Sequence, residues 1–159
     1  MNKAALRDAI VARLEEELAL QTAAANASRE EATDSESRQE GKYDMRGQSA
    51  AYLAAGQAKL VQEIGEAIGA FRALPSAAAA PGGAVGLGSL VTLEQGGEQQ
   101  AYFMGPARGG LEAELEGIAV TVVTPGSALG ARLLGRKAGD RIVSQPGPPA
   151  RYASLLSVA

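Results

Sequence analysis

The sequence predicts an α+β protein in which an N-terminal antiparallel coiled-coil helical hairpin is followed by a small antiparallel β domain with one short helix. Three observations support this prediction. Residues 1–74 contain no proline and are dominated by strong helix formers. Residues 75–86 are rich in Pro, Gly and Ala, which is typical of a linker. Residues 87–159 carry short β-branched runs between Gly and Pro, which is typical of strands.

The composition excludes several classes of function. The chain has no Cys and no His, which removes thiol nucleophiles, disulfides, imidazole bases and the usual zinc ligands. Its formal net charge of -3 is unlike that of a polycation, so we expect no direct DNA binding. Residues 1–20 are charged every few positions, and no stretch approaches the ~18 apolar residues of a membrane span. We therefore expect a cytoplasmic protein.

The hairpin prediction comes from residues that recur at spacings of three and four in two segments. These are Val11, Leu14, Leu18, Gln21, Ala25, Ser28 and Ala32 in the first segment, and Ala50, Leu53, Gln57, Leu60, Ile64, Ala67 and Phe71 in the second. This spacing is the seam pattern of a coiled coil. Residues 34–41 between the segments are polar and contain a glycine, so the hairpin over 1–74 should have its tip at about 34–44.

A single antiparallel register aligns the two seams. It pairs Val11 with Ala67, Leu14 with Ile64, Leu18 with Leu60, Gln21 with Gln57, and Ala25 with Leu53. Since the two seam glutamines face each other, we expect them to hydrogen-bond to one another. The facing residues become small and polar toward the tip, so apolar burial there is slight.

The second half predicts five strands and one helix. The strands are Ser89–Glu94, Gln99–Met104, Gly117–Thr124, Asp140–Ser144 and Arg151–Val158. The glycine pair after Gln95 predicts a hairpin turn between the first two strands. Leucines at helical spacing predict a helix over 127–134, with Ser127 as its N-cap and Gly135 as its terminator.

The segment Thr124–Asp140, TPGSALGARLLGRKAGD, resembles the signature of the GreA/GreB family of bacterial transcript-cleavage factors. Further upstream, Gly88 to Val91, Tyr102 with Gly105, and Gly117 with Ile118 match the same domain in order. The resemblance covers most of residues 86–158. It implies that the hairpin carries a globular domain similar to FK506-binding proteins, here over 87–159.

This resemblance implies a partner, bacterial RNA polymerase, with the globular domain on the rim of the secondary channel and the hairpin tip toward the active site. The tip residues that reach the active site would be Asp34, Glu36, Glu40 and Asp44. The family uses two tip acids to help hold a Mg²⁺ ion and a water while the polymerase cleaves its own RNA. Carboxylates are suitable ligands for such a shared ion, here through Glu36 and Glu40. The chain itself would be no enzyme, would hold no cofactor alone and would contact nascent RNA only indirectly.

The tip departs from the family pattern. The first family acid falls on Glu36, but the second falls on Gln39, one place from Glu40. One residue turns a helical side chain by ~100°. Two alternatives therefore stay open, a factor that stimulates cleavage and a non-cleaving channel occupant that inhibits transcription or regulates initiation.

The family segment that meets the channel rim falls on Gly126, Ser127 and Ala128. Ser127 has a second interpretation as a plain helix cap. Nearby cations form a local basic cluster that is either a solvated face or a contact for RNA or an acidic polymerase surface. They are Arg132, Arg136, Lys137 and Arg141.

The sequence also bears on two other classes of function. Peptidyl-prolyl isomerase chemistry needs a pocket lined with aromatic residues, and only Tyr102, Phe103 and Tyr152 follow Gly88, so we reject it. A coiled-coil self-assembly module is compatible with the polar glutamines in the seam. We expect a monomer, which distinguishes the polymerase-binding hypothesis from self-assembly.

Overall fold

The structure is a computed structural model that describes residues 2–37, 45–75 and 82–159. It contains two long helices, α1 (Lys3–Ser37) and α2 (Met45–Arg72), which form the predicted hairpin. Its residues divide into two compact units. Met1–Val11 and Gly69–Ala159 form the first unit, and Ala12–Ile68 form the second. No helix of the described ranges is long and apolar enough to cross a membrane.

The hairpin seam within the second unit is buried at several predicted positions. Leu14 and Ile64 are completely buried, and Ala25 and Ala50 are nearly so. Leu53 differs from the prediction because 54% of its surface is exposed, whereas the neighbouring Ala54 is half-buried. A seam through Ala50, Ala54 and Gln57 also has spacings of three and four. The heptad pattern alone therefore does not distinguish a seam through Ala54 from one through Leu53. The smaller side chain takes the inner position.

The predicted hydrogen bond between Gln21 and Gln57 is absent, which corrects the sequence interpretation. Oε1 of Gln57 is buried and accepts no hydrogen bond within the described parts of the chain. Leu18, Gln21 and Leu60 around it are only half-buried. The middle of the hairpin therefore combines an incomplete apolar core with an unpartnered polar atom, and both features are unfavourable.

Replacing Gln57 with leucine is expected to stabilise the unit Ala12–Ile68 by about 1 kcal/mol, because it removes a buried acceptor that has no donor. Hydrogen exchange of the helix amides measures the change in opening free energy. Gln48→Leu is the control, since Gln48 lies exposed on the same helix. Equal stabilisation by both variants would mean that general hydrophobicity, and not the buried oxygen, is responsible.

The first unit contains six strands and one short helix within the described residues. They are β1 (Leu90–Gln95), β2 (Glu98–Met104), β3 (Glu112–Leu115), β4 (Ile118–Val123), α3 (Ala128–Leu133), β5 (Arg141–Gln145) and β6 (Arg151–Val158). The strand order is β3-β4-β2-β1-β6-β5. The predicted fold class is confirmed, with five strands close to their predicted bounds.

Two features of the sheet go beyond the prediction. The strand β3 is additional; its four residues alternate Glu with Ala113 and Leu115, of which only Ala113 is buried, so its apolar face is small. The pairing of β2 with β4 is parallel, while the other four pairings are antiparallel. The strand β3 lies between β2 and β4 in sequence and at the edge of the sheet. The chain therefore passes from β2 to this edge, reverses direction after β3, and enters β4 parallel to β2.

The turn between β1 and β2 follows its prediction. Gln95 pairs with Glu98, so Gly96 and Gly97 form a two-residue loop, and their φ angles are 63° and 87°. Positive φ at both central residues is the requirement of a type I′ turn, which glycine meets without strain. The turn fixes the register of β1 and β2, and hence which of their side chains share a face.

Each face of the sheet packs against a different helix within the first unit. On one face a core of aliphatic residues from the strands meets Leu133 of α3. On the other face Phe71 of α2 stacks on Phe103, with ring centroids 6.3 Å apart and an interplanar angle of 23°. Nη1 of Arg7 donates a hydrogen bond of 3.2 Å to the carbonyl oxygen of Leu74. The bases of α1 and α2 therefore belong to the same packed body as the sheet.

Candidate functional site

The predicted tip residues are divided between described and undescribed parts of the chain. Asp34 is exposed in the last turns of α1, and Glu36 lies in the final turn of the same helix. Glu40 and Asp44 lie outside the described residues. Within the described ranges no group of three or more acidic, His or Cys side chains is placed to hold a metal. The shared Mg²⁺ through Glu36 and Glu40 stays a prediction.

The predicted rim segment forms a capped turn at the start of α3. Ser127 Oγ accepts a hydrogen bond of 3.0 Å from the Gly130 amide and donates one of 2.8 Å to the Thr124 carbonyl oxygen. Its backbone is extended, with φ of -75° and ψ of 156°, as an N-cap requires. The predicted cap is therefore confirmed. Gly126 and Ala128, on either side of it, are exposed.

Two glycines allow this compact turn and helix. A Cβ atom on Gly130 would overlap the carbonyl oxygen of Thr124, so only glycine permits the backbone to fold back so closely. Gly135 follows the C-cap Leu134 and has φ of 78°, the left-handed conformation that ends helices. Its amide donates to the Val85 carbonyl oxygen at 2.9 Å, which fixes the end of the linker beside the helix terminus.

Arg132 joins α3 to the edge of the sheet. Its Nη1 donates to the carbonyl oxygens of Val143 and Ser144, at 3.2 and 3.3 Å. These two residues lie where the pairing of β5 with β6 shifts register, and β5 is an edge strand. The guanidinium group satisfies edge carbonyls that would otherwise be open to another chain.

Two of the four cations of the predicted basic cluster take part in contacts within the fold. Arg132 is half-buried and used in the fold, and the Arg141 guanidinium carbon lies 4.6 Å from the centroid of the Tyr152 ring. Arg136 and Lys137 are exposed. The backbone amide of Lys137 donates a hydrogen bond of 2.9 Å to Oδ2 of Asp140, which closes the turn before β5.

Sequence reasoning missed a cavity of about 220 Å³ on the α3 side of the sheet. It is lined by Leu93, Gln95, Glu98, Gln100, Tyr102, Leu129, Ser144, Gln145 and Ala153. The Tyr102 hydroxyl donates to Oε1 of Gln100 at 2.7 Å, and burial raises the pKa of Tyr102. The hydroxyl is therefore protonated at neutral pH and keeps its proton to donate. The alternation along β2 places Glu98, Gln100 and Tyr102 on one strand face, but the pairing of the strands is what makes this face border a cavity.

No protein-family model matches this chain, and no curated protein matches it either. Among solved structures, GreA factor homolog 1 (Gfh1) of Thermus thermophilus is similar at 18% identity and a TM-score of 0.39, over 94% of both chains. A structure of the transcription factor Gfh1 has the same identity and TM-score, over 94% of this chain and 93% of that one. Gfh1 of Thermus aquaticus is 20% identical with a TM-score of 0.38, over 95% and 94%.

Proposed function

We propose that this chain is a Gre-like factor that binds bacterial RNA polymerase at its secondary channel and modulates transcription elongation. The β domain would contact the channel rim, and the hairpin tip would point to the active site. The observation that supports this most is the form of Thr124–Asp140. The segment that resembles the family signature is a capped turn, a short helix and a glycine-terminated exit, with Gly126 and Ala128 exposed.

The length of the hairpin supports the same proposal. The helix α1 has 35 residues, which at ~1.5 Å per residue gives about 52 Å. Asp34 and Glu36 lie at its C-terminal end. Carboxylates at the end of so long a helix suit a role in a deep channel. A tip that stimulates RNA cleavage needs Glu36 and Glu40 to bind the polymerase metal. A tip that only occupies the channel does not.

The decisive experiment adds the chain to a halted, backtracked elongation complex that carries end-labelled RNA and Mg²⁺. Shortening of the RNA that Glu36→Ala or Glu40→Ala slows by at least about 100-fold would make the chain a cleavage factor, because alanine removes a carboxylate that would act on the metal and its water. Glu16→Ala is the matched control, since Glu16 is exposed on the same helix. Without shortening, competition with a known channel-binding cleavage factor would make it a non-cleaving occupant. If it neither cleaves nor competes, the proposal is wrong.

A substitution at Ser127 can separate the capping role of this residue from a contact with the polymerase. Threonine can accept from the Gly130 amide and donate to the Thr124 carbonyl oxygen as serine does, so Ser127→Thr should keep α3 folded while adding a methyl group to the rim segment. We expect this variant to lose competition with the known factor while its thermal stability is unchanged. Retained competition would mean that Ser127 acts only as a cap.

A second candidate function is coiled-coil self-assembly. Leu20, Tyr52 and Leu53 are large apolar side chains that lie exposed on the two helices, at 71%, 83% and 54% of their surface. Sedimentation velocity over a range of concentrations distinguishes the candidates. A mass that rises with concentration favours assembly, and a constant monomer mass favours the polymerase-binding factor.

A further inference from the structure

The cavity beside α3 continues into a second, more open cleft at the end of the sheet. This cleft has a volume of about 620 Å³ and lies between the β1–β2 turn and the start of β6. Gln95, Glu98 and Gln100 line both spaces, so the two adjoin, and together they are named the Gln100 groove. The inner cavity is smaller than the ~300–1,000 Å³ of pockets for whole ligands. It is large enough for one side chain of a longer chain.

The inner part of the groove offers hydrogen-bonding groups that the fold leaves unused. Oγ of Ser144 is buried and has no hydrogen-bond partner within the described residues. A buried hydroxyl without a partner is unfavourable, so a rotation of the Ser144 side chain that turns its Oγ toward a ligand in the cavity recovers that free energy. The amide of Gln100 has donors as well as the acceptor that Tyr102 uses. Side-chain amides with both donors and acceptors match the alternating groups of an extended peptide backbone.

The outer part of the groove is positively charged. Arg141 and Arg151 line it together with one acid, Glu98. The Arg141 side chain is held against the ring of Tyr152, and Arg151 is exposed. Guanidinium groups bind carboxylates through paired hydrogen bonds, and a fixed guanidinium loses little freedom on doing so. The excess of positive charge therefore favours an acidic occupant.

We propose that the Gln100 groove binds an extended, acidic peptide segment of a partner protein. One apolar side chain enters the cavity beside Leu129, the peptide backbone pairs with Gln100 and Ser144, and an acidic side chain meets Arg141 and Arg151. This goes beyond the proposed function, because it assigns a second binding surface that uses no residue of the hairpin tip. It also needs no polymerase for its test.

The test selects a random heptapeptide library, displayed on phage, against the immobilised full chain. Enriched sequences are made with a fluorescein label and titrated by fluorescence anisotropy. We expect them to contain Asp or Glu together with one bulky apolar residue. Gln100→Trp, which fills the groove, should abolish binding, and Arg151→Glu should weaken it at least about tenfold, the effect of losing one charge-assisted hydrogen bond.

Gln99→Trp is the matched control, because Gln99 is the exposed neighbour whose side chain lies on the opposite face of β2. It should bind the selected peptides as the unaltered chain does. Peptides that bind Gln100→Trp equally well, or that lack acidic residues, overturn the proposal. If no peptide is enriched while N-methylacetamide shifts the amide resonances of Gln100, the occupant is a small neutral molecule and the proposal also fails.

Discussion

Replacing Gly130 with alanine is expected to destabilise the unit that contains the sheet by about 3 kcal/mol, the upper end of the usual cost of overpacking. The added Cβ would overlap the Thr124 carbonyl oxygen and come within 2.8 Å of Ser127 Oγ. The main clash is with backbone, so no side-chain rotation relieves it. The turn would have to open, and opening it would also lengthen the two hydrogen bonds of the Ser127 cap.

Gly126→Ala is the control for this prediction. Gly126 lies in the same segment, but its Cβ would meet no atom within 4 Å and its φ lies outside the left-handed region. The substitution should be neutral or stabilise by up to about 1 kcal/mol, since alanine restricts the unfolded chain. Hydrogen exchange of the β5 and β6 amides gives both values. A Gly130→Ala cost below about 1 kcal/mol would show that the approach of α3 to Thr124 is loose.

The elements that the sequence predicts well are those that local chemistry determines. Ser127 caps α3 and Gly135 ends it because both effects act through backbone groups a few residues away. Gly96 and Gly97 form the predicted turn for the same reason. In each case a residue with one special conformational property stands where that property is needed, and no distant contact overrides it.

The elements that escaped prediction depend on contacts between distant segments. Ala113 is the one buried residue of β3, so pairing with β4, more than apolar burial, holds that strand in place. Gln57 lacks its expected hydrogen bond, and Ala54 takes the inner position of the α2 seam in place of Leu53. A one-residue choice of this kind leaves the heptad spacing intact, so periodicity does not decide it.

The candidate site likewise combines features that local sequence determines with features that depend on contacts between distant segments. The Ser127 cap was predicted from its motif, whereas the Gln100 groove needs the registers of β1, β2 and β6 to bring Gln95, Gln100 and Ala153 to one face. Arg132 was assigned to a basic cluster from its neighbours in sequence. Its two bonds to edge carbonyls depend on the position of β5, which the sequence of α3 does not contain.

Replacing Phe71 with alanine is expected to cost about 3–5 kcal/mol, the usual range for removing a buried phenylalanine. The chain has two phenylalanines and no tryptophan, and Phe71 and Phe103 stack on each other. Phe71 is completely buried, so its loss leaves a cavity where the base of α2 meets the sheet. Phe71→Leu keeps most of the volume and should cost less than about 1.5 kcal/mol. Hydrogen exchange of the β2 and β4 amides measures both changes.

A double-mutant cycle with Gly105 tests whether the ring itself makes this contact. A Cβ on Gly105 would come within 2.7 Å of Val122 Cγ1, and within 2.9 and 3.1 Å of two ring atoms of Phe71. Gly105→Ala should therefore cost about 1–3 kcal/mol alone and distinctly less in the Phe71→Ala background, where two of the three close atoms are gone. The contact with Val122 remains, so the cost should fall but not vanish. Strict additivity of the two substitutions would mean that the Phe71 ring does not lie over Gly105, and that the base of α2 is held to the sheet by other residues.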